Sequence, residues 1–387
     1  MAARKQKRGP GPWKKIITGR PRGLDRAART AVEEVLKIKK GEKVLIVTNP
    51  EPEVFGISAA IYDAASACDA DVNIIVQDRR TQLDFASDAV LHALRSEPDV
   101  ALSLSAAKLG KDRFGLEKPY RFKGVKGSWP HIFNALLGAS KLRSFWSPSI
   151  TMDTFARTVP VDYARMRKDA AKLKRALDAA DRVHVTSPGG TDLELSIKGR
   201  AAHVDDGAFD KPGTGGNLPA GETYISPANY TAQGVIVFDG SLAVADGGGA
   251  FVPRRPVTVE IEDGRVVRVT GGAGGRRLEK SLVLGEEAAL ERRGQRGWSA
   301  SRVESYRFNA RHLGELGIGL NPKARVTGKM LEDEKILGTC HFAIGANYDD
   351  DAEAFIHLDC LVNKPTITVG KGERGKPKPI LRAGVIQ

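Results

Sequence analysis

Short runs of apolar and β-branched residues alternate with helix-like segments over the first 160 residues, and this alternation constrains the fold more than any other feature. Residues 24–40 carry apolar side chains at helical spacing, and the strand-like runs are KVLIVT (43–48), VNIIV (72–76) and DVALSLS (99–105). Strands separated by helices of this length form a parallel sheet with right-handed crossovers. We therefore predict an N-terminal α/β domain over residues 24–160, with a mainly parallel sheet.

The pattern changes after a predicted helix at 162–181. Short strands with turn residues follow, among them RVHVTS, TDLELSI and GVIVFDG, and VTVEIEDGRVVRVT is predicted to be a hairpin because Asp263-Gly264 suits its turn. Residues 203–222 are rich in Gly, Pro and Asp and are predicted to form a long ordered loop. We predict a second, α+β domain over residues 161–387.

The positive charge of the chain is concentrated at its N-terminus. The formal net charge is +13, and residues 1–30 contribute +9 of it through ten Lys or Arg and one Asp. We predict that residues 1–23 form a flexible basic tail. Such a tail can bind RNA by counterion release, but most charged runs are simply solvated, so we do not expect a nucleic-acid partner. A non-catalytic protein whose tail binds RNA stays open as a third hypothesis.

Several classes of protein are excluded by the composition. The chain is 41% hydrophobic and 28% charged, as in soluble globular proteins, and no apolar run approaches the roughly 18 residues of a membrane span. The tail has no continuous apolar core, so it is not a secretory signal. Cys68, Cys340 and Cys360 are too scattered for a disulfide framework or a zinc site. We expect a cytoplasmic protein without a membrane partner.

Motifs of serine nucleophiles and nucleotide-binding loops are also missing. The sequence has no G-x-S-x-G elbow, and GKGERGKP (370–377) ends in Pro where a phosphate-binding loop needs Ser or Thr. Serine-based hydrolysis and P-loop chemistry therefore lose support.

An imidazole and a carboxylate stand close together in the apolar run AFIHLDCLV (354–362). In a strand, His357 and Asp359 point to the same face because successive side chains alternate. Burying both on one face costs free energy unless something nearby binds them. The sequence therefore suggests a cation on that face.

Three further polar residues lie in apolar strings of the C-terminal half: Glu222 in NLPAGETYISP, Glu315 in HLGELGIGLNP and His341 in DEKILGTCHFAIGANY. Carboxylates and imidazoles without thiolates suit Zn, Mn, Co or Fe in a catalytic site. Three carboxylates and two imidazoles exceed what one catalytic zinc takes and could hold two ions about 3.5–4 Å apart. The structural alternative is that the histidines are hydrogen-bonded core residues and the glutamates are solvated or paired locally.

Other polar residues near these strings receive a structural interpretation. Cys340 alternates with His341 and is predicted to be a core residue on the opposite face. His203, Asp205 and Asp206 could reach the site, but we interpret them as part of a solvated loop.

The strings NLPAGE, LGELGIGLNP, DEKILGTCHFAIGANY and HLD follow one another in the order of the metal-ligand motifs of the aminopeptidase T family, peptidase family M29. The chain resembles this family from about residue 24 onward. The resemblance implies a two-domain homodimer with a pair of divalent ions (Zn, Co or Mn) in a catalytic C-terminal domain. Carried over motif by motif, it makes Glu222, Glu315, His341, His357 and Asp359 the metal ligands.

The function that this resemblance implies is a metal-dependent aminopeptidase, which releases N-terminal residues from peptides. Two ions would activate a water molecule, and Glu222 or Glu315 would accept its proton. Tyr348 would be the active-site tyrosine and donate a hydrogen bond to the developing oxyanion. The same fold also resembles that of mononuclear iron enzymes that open hydroxypyridine rings. The alternatives are therefore an Fe(II) ring-opening dioxygenase, similar to 2,5-dihydroxypyridine dioxygenase and acting on a small molecule, or a catalytically silent relative.

Overall fold

The computed structural model describes residues 21–81, 84–372 and 376–387. The chain divides into two compact units. The first contains the described residues up to Tyr163 together with Gly207–Ala220, and the second contains Ala164–Asp206 and Gly221–Gln387. The predicted basic tail lies outside the described residues except for residues 21–23. No helix within the described ranges is long and apolar enough to cross a membrane.

The described residues form twenty strands and ten α-helices. The strands are β1 (Lys43–Thr48), β2 (Asp71–Val76), β3 (Val100–Leu104), β4 (Arg143–Trp146), β5 (Arg182–Thr186), β6 (Asp192–Ser196), β7 (His203–Asp205), β8 (Gly215–Asn217), β9 (Glu222–Ile225), β10 (Gln233–Phe238), β11 (Leu242–Ala243), β12 (Ala250–Phe251), β13 (Val257–Glu262), β14 (Arg265–Thr270), β15 (Leu313–Gly319), β16 (Thr339–Gly345), β17 (His357–Asn363), β18 (Thr366–Gly370), β19 (Lys378–Arg382) and β20 (Val385–Ile386). The helices are α1 (Leu24–Thr30), which continues as a π-helical turn (Ala31–Val35), α2 (Pro52–Ala67), α3 (Asp88–Arg95), α4 (Arg113–Glu117), α5 (Ile132–Gly138), α6 (Met152–Thr158), α7 (Tyr163–Asp178), α8 (Gly272–Leu290), α9 (Ala300–Asn309) and α10 (Met330–Asp333).

The first unit is built on a parallel sheet, as the alternation of strands and helices predicts. Its strand order is β2-β1-β3-β4-β8, and every neighbouring pair is parallel. All five residues of β3 are buried, as expected for a central strand with helices on both faces. Strand β8 comes from the segment predicted as a loop, because Gly215–Asn217 add to the edge of the sheet beside β4.

The second unit contains two antiparallel sheets with helices, which confirms the predicted α+β class. One sheet has the order β14-β13-β10-β6-β5-β18-β19-β20, and the other has the order β12-β11-β17-β16-β15-β9-β7. The predicted hairpin joins β13 to β14. Asp263 and Gly264 form its turn with φ values of 46° and 71°, the positive values that a type I′ turn needs.

The centre of the seven-stranded sheet is the most deeply buried part of this unit. All residues of β15 and β16 are buried, including Glu315 and His341. Strand β16 lies between β15 and β17, and His357 and Asp359 of β17 are partly buried. Polar groups on these strands therefore need partners within the protein or a bound ion.

Candidate metal centre

Cross-strand pairing places the polar residues of β17 opposite very small residues. His357 lies opposite Gly345 of β16, and Asp359 lies opposite Ala343. Residues that pair directly share one face of the sheet. The small partners leave the space above β16 open to the imidazole and the carboxylate.

The same arrangement continues across the sheet. His341 of β16 lies opposite Gly317 of β15, and Glu222 of β9 lies opposite Gly319. Glu315, two residues before Gly317, shares its face. An added Cβ at Gly317 would overlap Nε2 of His341, so the ring of this histidine lies directly over the glycine. All five predicted ligands therefore converge on one face of the sheet.

These side chains form two groups that share Glu315. Glu222, Glu315 and His341 make the first group, and Glu315, His357 and Asp359 make the second. Within each group the candidate ligand atoms lie within 4.8 Å of one another. We call them the Glu222 group and the Asp359 group.

Glu315 links the two imidazoles. Its Oε1 lies 3.2 Å from Nε2 of His341, and its Oε2 lies 3.3 Å from Nε2 of His357. Nε2 of His357 is also 3.2 Å from Oδ1 of Asp359. Nδ1 of His357 is 2.8 Å from the carbonyl oxygen of Ala346 and donates to it, which leaves Nε2 free to bind a metal ion.

Buried atoms without hydrogen bonds indicate that a cation fits this site. Among the buried atoms of the described residues that make no hydrogen bond are two that face this site, Oε2 of Glu222 and Oε2 of Glu315. Such groups are rare in proteins and need an explanation. Carboxylate oxygens and imidazole nitrogens are donors that first-row divalent ions accept, so a metal ion explains them.

A fully buried lysine completes the cluster. Nζ of Lys335 is 2.6 Å from Oε1 of Glu222, 2.8 Å from Oε1 of Glu334 and 3.6 Å from Oδ2 of Asp205. The side chain of Lys335 has no exposed surface. Burial lowers the pKa of Lys335, but the surrounding carboxylates outweigh this effect and raise it, so the ammonium stays charged.

The carboxylates and imidazoles shift one another's pKa values. Burial lowers the pKa of His341, but its hydrogen bond to Glu315 and the nearby carboxylates raise it to about 9. Burial raises the pKa of Glu222 to about 8 despite the opposing charge of Lys335. Burial would also raise the pKa of Asp359, but His357 lowers it to about 2. Since ligands bind metal in their deprotonated forms, metal binding at neutral pH is expected to release protons.

Tyr348 lies at the exposed side of the cluster. Its ring centroid is 5.2 Å from that of His357 and 5.1 Å from that of Tyr224, and the residue is 55% exposed. Tyr224 in turn stacks on His203 at 5.3 Å. Desolvation and the negative charge of Glu315 raise the pKa of Tyr348, so its phenol is a hydrogen-bond donor at neutral pH.

The sequence interpretation missed one residue of the cluster and misplaced another. Lys335 received no role, although it directly follows the acidic run LEDE and precedes the string that contains His341. Asp205 was assigned to a solvated loop, but it is only 7% exposed and lies on β7 beside Glu222. Cys340 is fully buried and pairs with Ile318 and Val362, on the opposite face from His341.

Comparison with solved structures shows the same fold in two other proteins. A 2,5-dihydroxypyridine dioxygenase from Pseudomonas putida KT2440 is 16% identical and has a TM-score of 0.68, with 94% of this chain and 96% of that chain covered. Wild-type AmpT from Thermus thermophilus is 18% identical and has a TM-score of 0.63, with 94% and 99% covered. At these identities the likeness shows the fold alone. It confirms the predicted fold class, and it supports the aminopeptidase T resemblance only at that level.

A search of curated proteins found no match. A family profile does match, over residues 149–371, which is more than half of the chain and contains all five candidate ligands as well as Tyr348. The profile describes NicX: 2,5-dihydroxypyridine 5,6-dioxygenase. The chain therefore belongs to the NicX family.

Proposed function

We propose that the protein is a ring-opening dioxygenase that uses one Fe(II) ion per chain and acts on a hydroxylated nitrogen heterocycle. We thus prefer the ring-opening dioxygenase, which the sequence analysis gives as an alternative, to the aminopeptidase. The observation that carries the proposal is the NicX family match across the whole ligand-bearing region, residues 149–371.

The donor set supports this assignment. Two imidazoles and one carboxylate with open positions are typical of non-haem Fe(II) oxygenases. Glu315, His357 and Asp359 surround one ion position, and the second imidazole, that of His341, lies 3.2 Å from the other oxygen of Glu315. When bound there, Fe(II) supplies the one-electron chemistry that allows dioxygen to react with an electron-rich ring.

Tyr348 is the residue best placed to bind the substrate. Its ring packs against His357 at the exposed side of the cluster. A planar heterocycle that approaches the ligands from this side would contact the ring and receive a hydrogen bond from its hydroxyl group. Because the pKa of Tyr348 is raised, the phenol keeps its proton and can stabilise negative charge on a substrate oxygen.

A second candidate function is the aminopeptidase with two divalent ions. The two ligand groups share Glu315, as a bridging carboxylate between two ions would. Lys335 pairs with Asp205, Glu222 and Glu334, whereas Glu315 and Asp359 lie among the imidazoles. Glu222 or Glu315 would then also act as the general base.

One experiment separates the two functions. The purified chain is reconstituted without oxygen, once with Fe(II) and once with Co²⁺, Mn²⁺ or Zn²⁺, and bound metal is counted by elemental analysis. We expect about one iron per chain and consumption of one dioxygen per ring lost when 2,5-dihydroxypyridine is added. Two tightly bound ions together with cleavage of aminoacyl p-nitroanilides would establish the aminopeptidase instead. Absence of both activities would identify a catalytically silent relative.

A further inference from the structure

Lys335 holds a permanent positive charge at one side of the metal centre. Its backbone is anchored at both ends, because its N–H donates to the carbonyl of Glu332 at 3.0 Å and its own carbonyl accepts from the N–H of Asn321 at 2.7 Å. The buried ammonium is therefore held in place beside Glu222, with Nζ 2.6 Å from Oε1. As a result, the ammonium group of Lys335 cannot move into solvent when a metal ion binds.

The two ligand groups differ in their distance from this charge. In the Glu222 group, one oxygen of Glu222 is already bonded to Lys335, and only Oε2, 3.7 Å from Nε2 of His341, faces the other ligands. In the Asp359 group, no lysine or arginine of the described chain forms an ion pair with Glu315, His357 or Asp359. A cation in the Glu222 group would thus share a carboxylate with the fixed ammonium, whereas a cation in the Asp359 group would not.

We propose that Lys335 is a positioning residue that makes the two ion positions unequal, with the Asp359 group binding an ion tightly and the Glu222 group binding one weakly. Repulsion between like charges a few ångströms apart in a buried site lowers affinity by about tenfold or more. This inference rests on the metal centre of the proposed function and does not depend on which reaction the ion supports. It gives a physical reason why a site with five protein ligands would work with a single ion.

The test is a titration of the metal-free full-length chain with Co²⁺, followed by absorbance and by competition with a chelator. The wild type is expected to bind one ion tightly and a second at least tenfold more weakly. Lys335→Met is expected to strengthen the second position at least tenfold, so that two ions survive desalting. Lys335→Arg keeps the charge and should retain the weak position, and Lys329→Met, at an exposed lysine nearby, serves as the matched control. An unchanged ratio of the two affinities in Lys335→Met would overturn the inference.

If Lys335→Met does not fold, two further variants test which of the two ligand groups binds its ion more tightly. Glu222→Gln should keep the tight ion with unchanged affinity, and Asp359→Asn should lose it. The reverse result would show that the Glu222 group is the tight position and would refute the inference. Oxygen uptake by the wild type is measured on a portion of the same metal-free preparation, loaded with Fe(II) and supplied with 2,5-dihydroxypyridine. Unequal affinities without oxygen uptake would refute the dioxygenase and leave the role of Lys335 standing.

Discussion

His357 connects the polar cluster to the backbone of the loop that follows β16. Its Nε2 lies between Glu315 and Asp359, and its Nδ1 is held by the carbonyl of Ala346. We expect His357→Ala to remain folded, to retain less than about a tenth of the wild-type metal and to lose activity by about 100-fold or more, because the Asp359 group loses its imidazole. Elemental analysis after desalting and thermal melting check this outcome.

The matched control is His184→Ala. His184 is a half-exposed imidazole whose recorded partner is Asp192, at 2.7 Å. This variant should keep both its metal and its activity. Normal metal content in His357→Ala would show that this histidine is not a ligand.

Tyr348 is expected to act on the substrate and not on the metal. Tyr348→Phe keeps the ring against His357 but removes the hydroxyl group, so metal content and stability should stay at wild-type levels. We expect kcat to fall by about 10²-fold, as when one hydrogen-bond donor to a developing charge is removed. Steady-state kinetics measure this, with Tyr230→Phe, at another exposed tyrosine, as the control. Loss of metal in Tyr348→Phe would instead give the hydroxyl group a role in holding the ligands.

At the level of the strands, the site depends on the absence of side chains at particular positions. His341 lies over Gly317 of the neighbouring strand, and a methyl group there would overlap its Nε2. Gly317→Ala is therefore expected to displace the imidazole, weaken binding of an ion in the Glu222 group at least tenfold and cost about 1–3 kcal/mol of stability. Co²⁺ titration and urea unfolding measure the two effects.

Gly189→Ala is a suitable control for this variant. The nearest side-chain atom to an added Cβ at Gly189 is Oδ2 of Asp239, at 3.2 Å, and this loop is not part of the metal centre. It should bind Co²⁺ as the wild type does. If Gly317→Ala also binds Co²⁺ normally, Nε2 of His341 is not one of the ligand atoms.

The sequence predicts these strands better than it predicts their pairing. Alternation alone places His357 and Asp359 on one face, because a strand has a period of two residues. Alternation does not show which strands are neighbours. It therefore cannot predict the contact between Lys335 and Glu222, which are 113 residues apart in the sequence. Strand β8 was missed for a related reason, since its sequence GGN has no strand propensity and is held only by pairing with β4. One sequence pattern could have found more: Gly317 and Gly319 stand two positions apart, as do Ala343 and Gly345, which indicates that side chains of neighbouring strands need space on that face.

At the level of the whole molecule, the fold does not decide the reaction. The same architecture occurs in a dioxygenase and in AmpT, and the second unit of this chain contains ligands that could serve one ion or two. We therefore expect the reaction to depend on the charges around the two ligand groups and not on the arrangement of the strands. Lys335 is the strongest candidate for such a deciding charge, because it pairs with a carboxylate that would otherwise be available to a second ion.

The stability of the chain should depend on pH through a histidine outside the metal centre. His312 is 1% exposed, and neither of its ring nitrogens has a hydrogen bond within the described residues. Burial lowers the pKa of His312 from 6.5 to about 4. The unfolded chain therefore takes up a proton below about pH 6.5, whereas the folded chain does so only near pH 4, so the free energy of unfolding decreases as the pH falls between these values.

The expected loss is about 3 kcal/mol between pH 7 and pH 4, from 1.36 kcal/mol per unit of pKa difference. His312→Leu removes the titrating group, so its stability should fall less steeply over the same range. Urea unfolding of the metal-free wild type and variant, compared at pH 7, 6, 5 and 4, isolates this contribution because the other titrating groups are common to both. Parallel curves for the two proteins would show that His312 can be protonated in the folded state without penalty, and the buried imidazole would then need a partner.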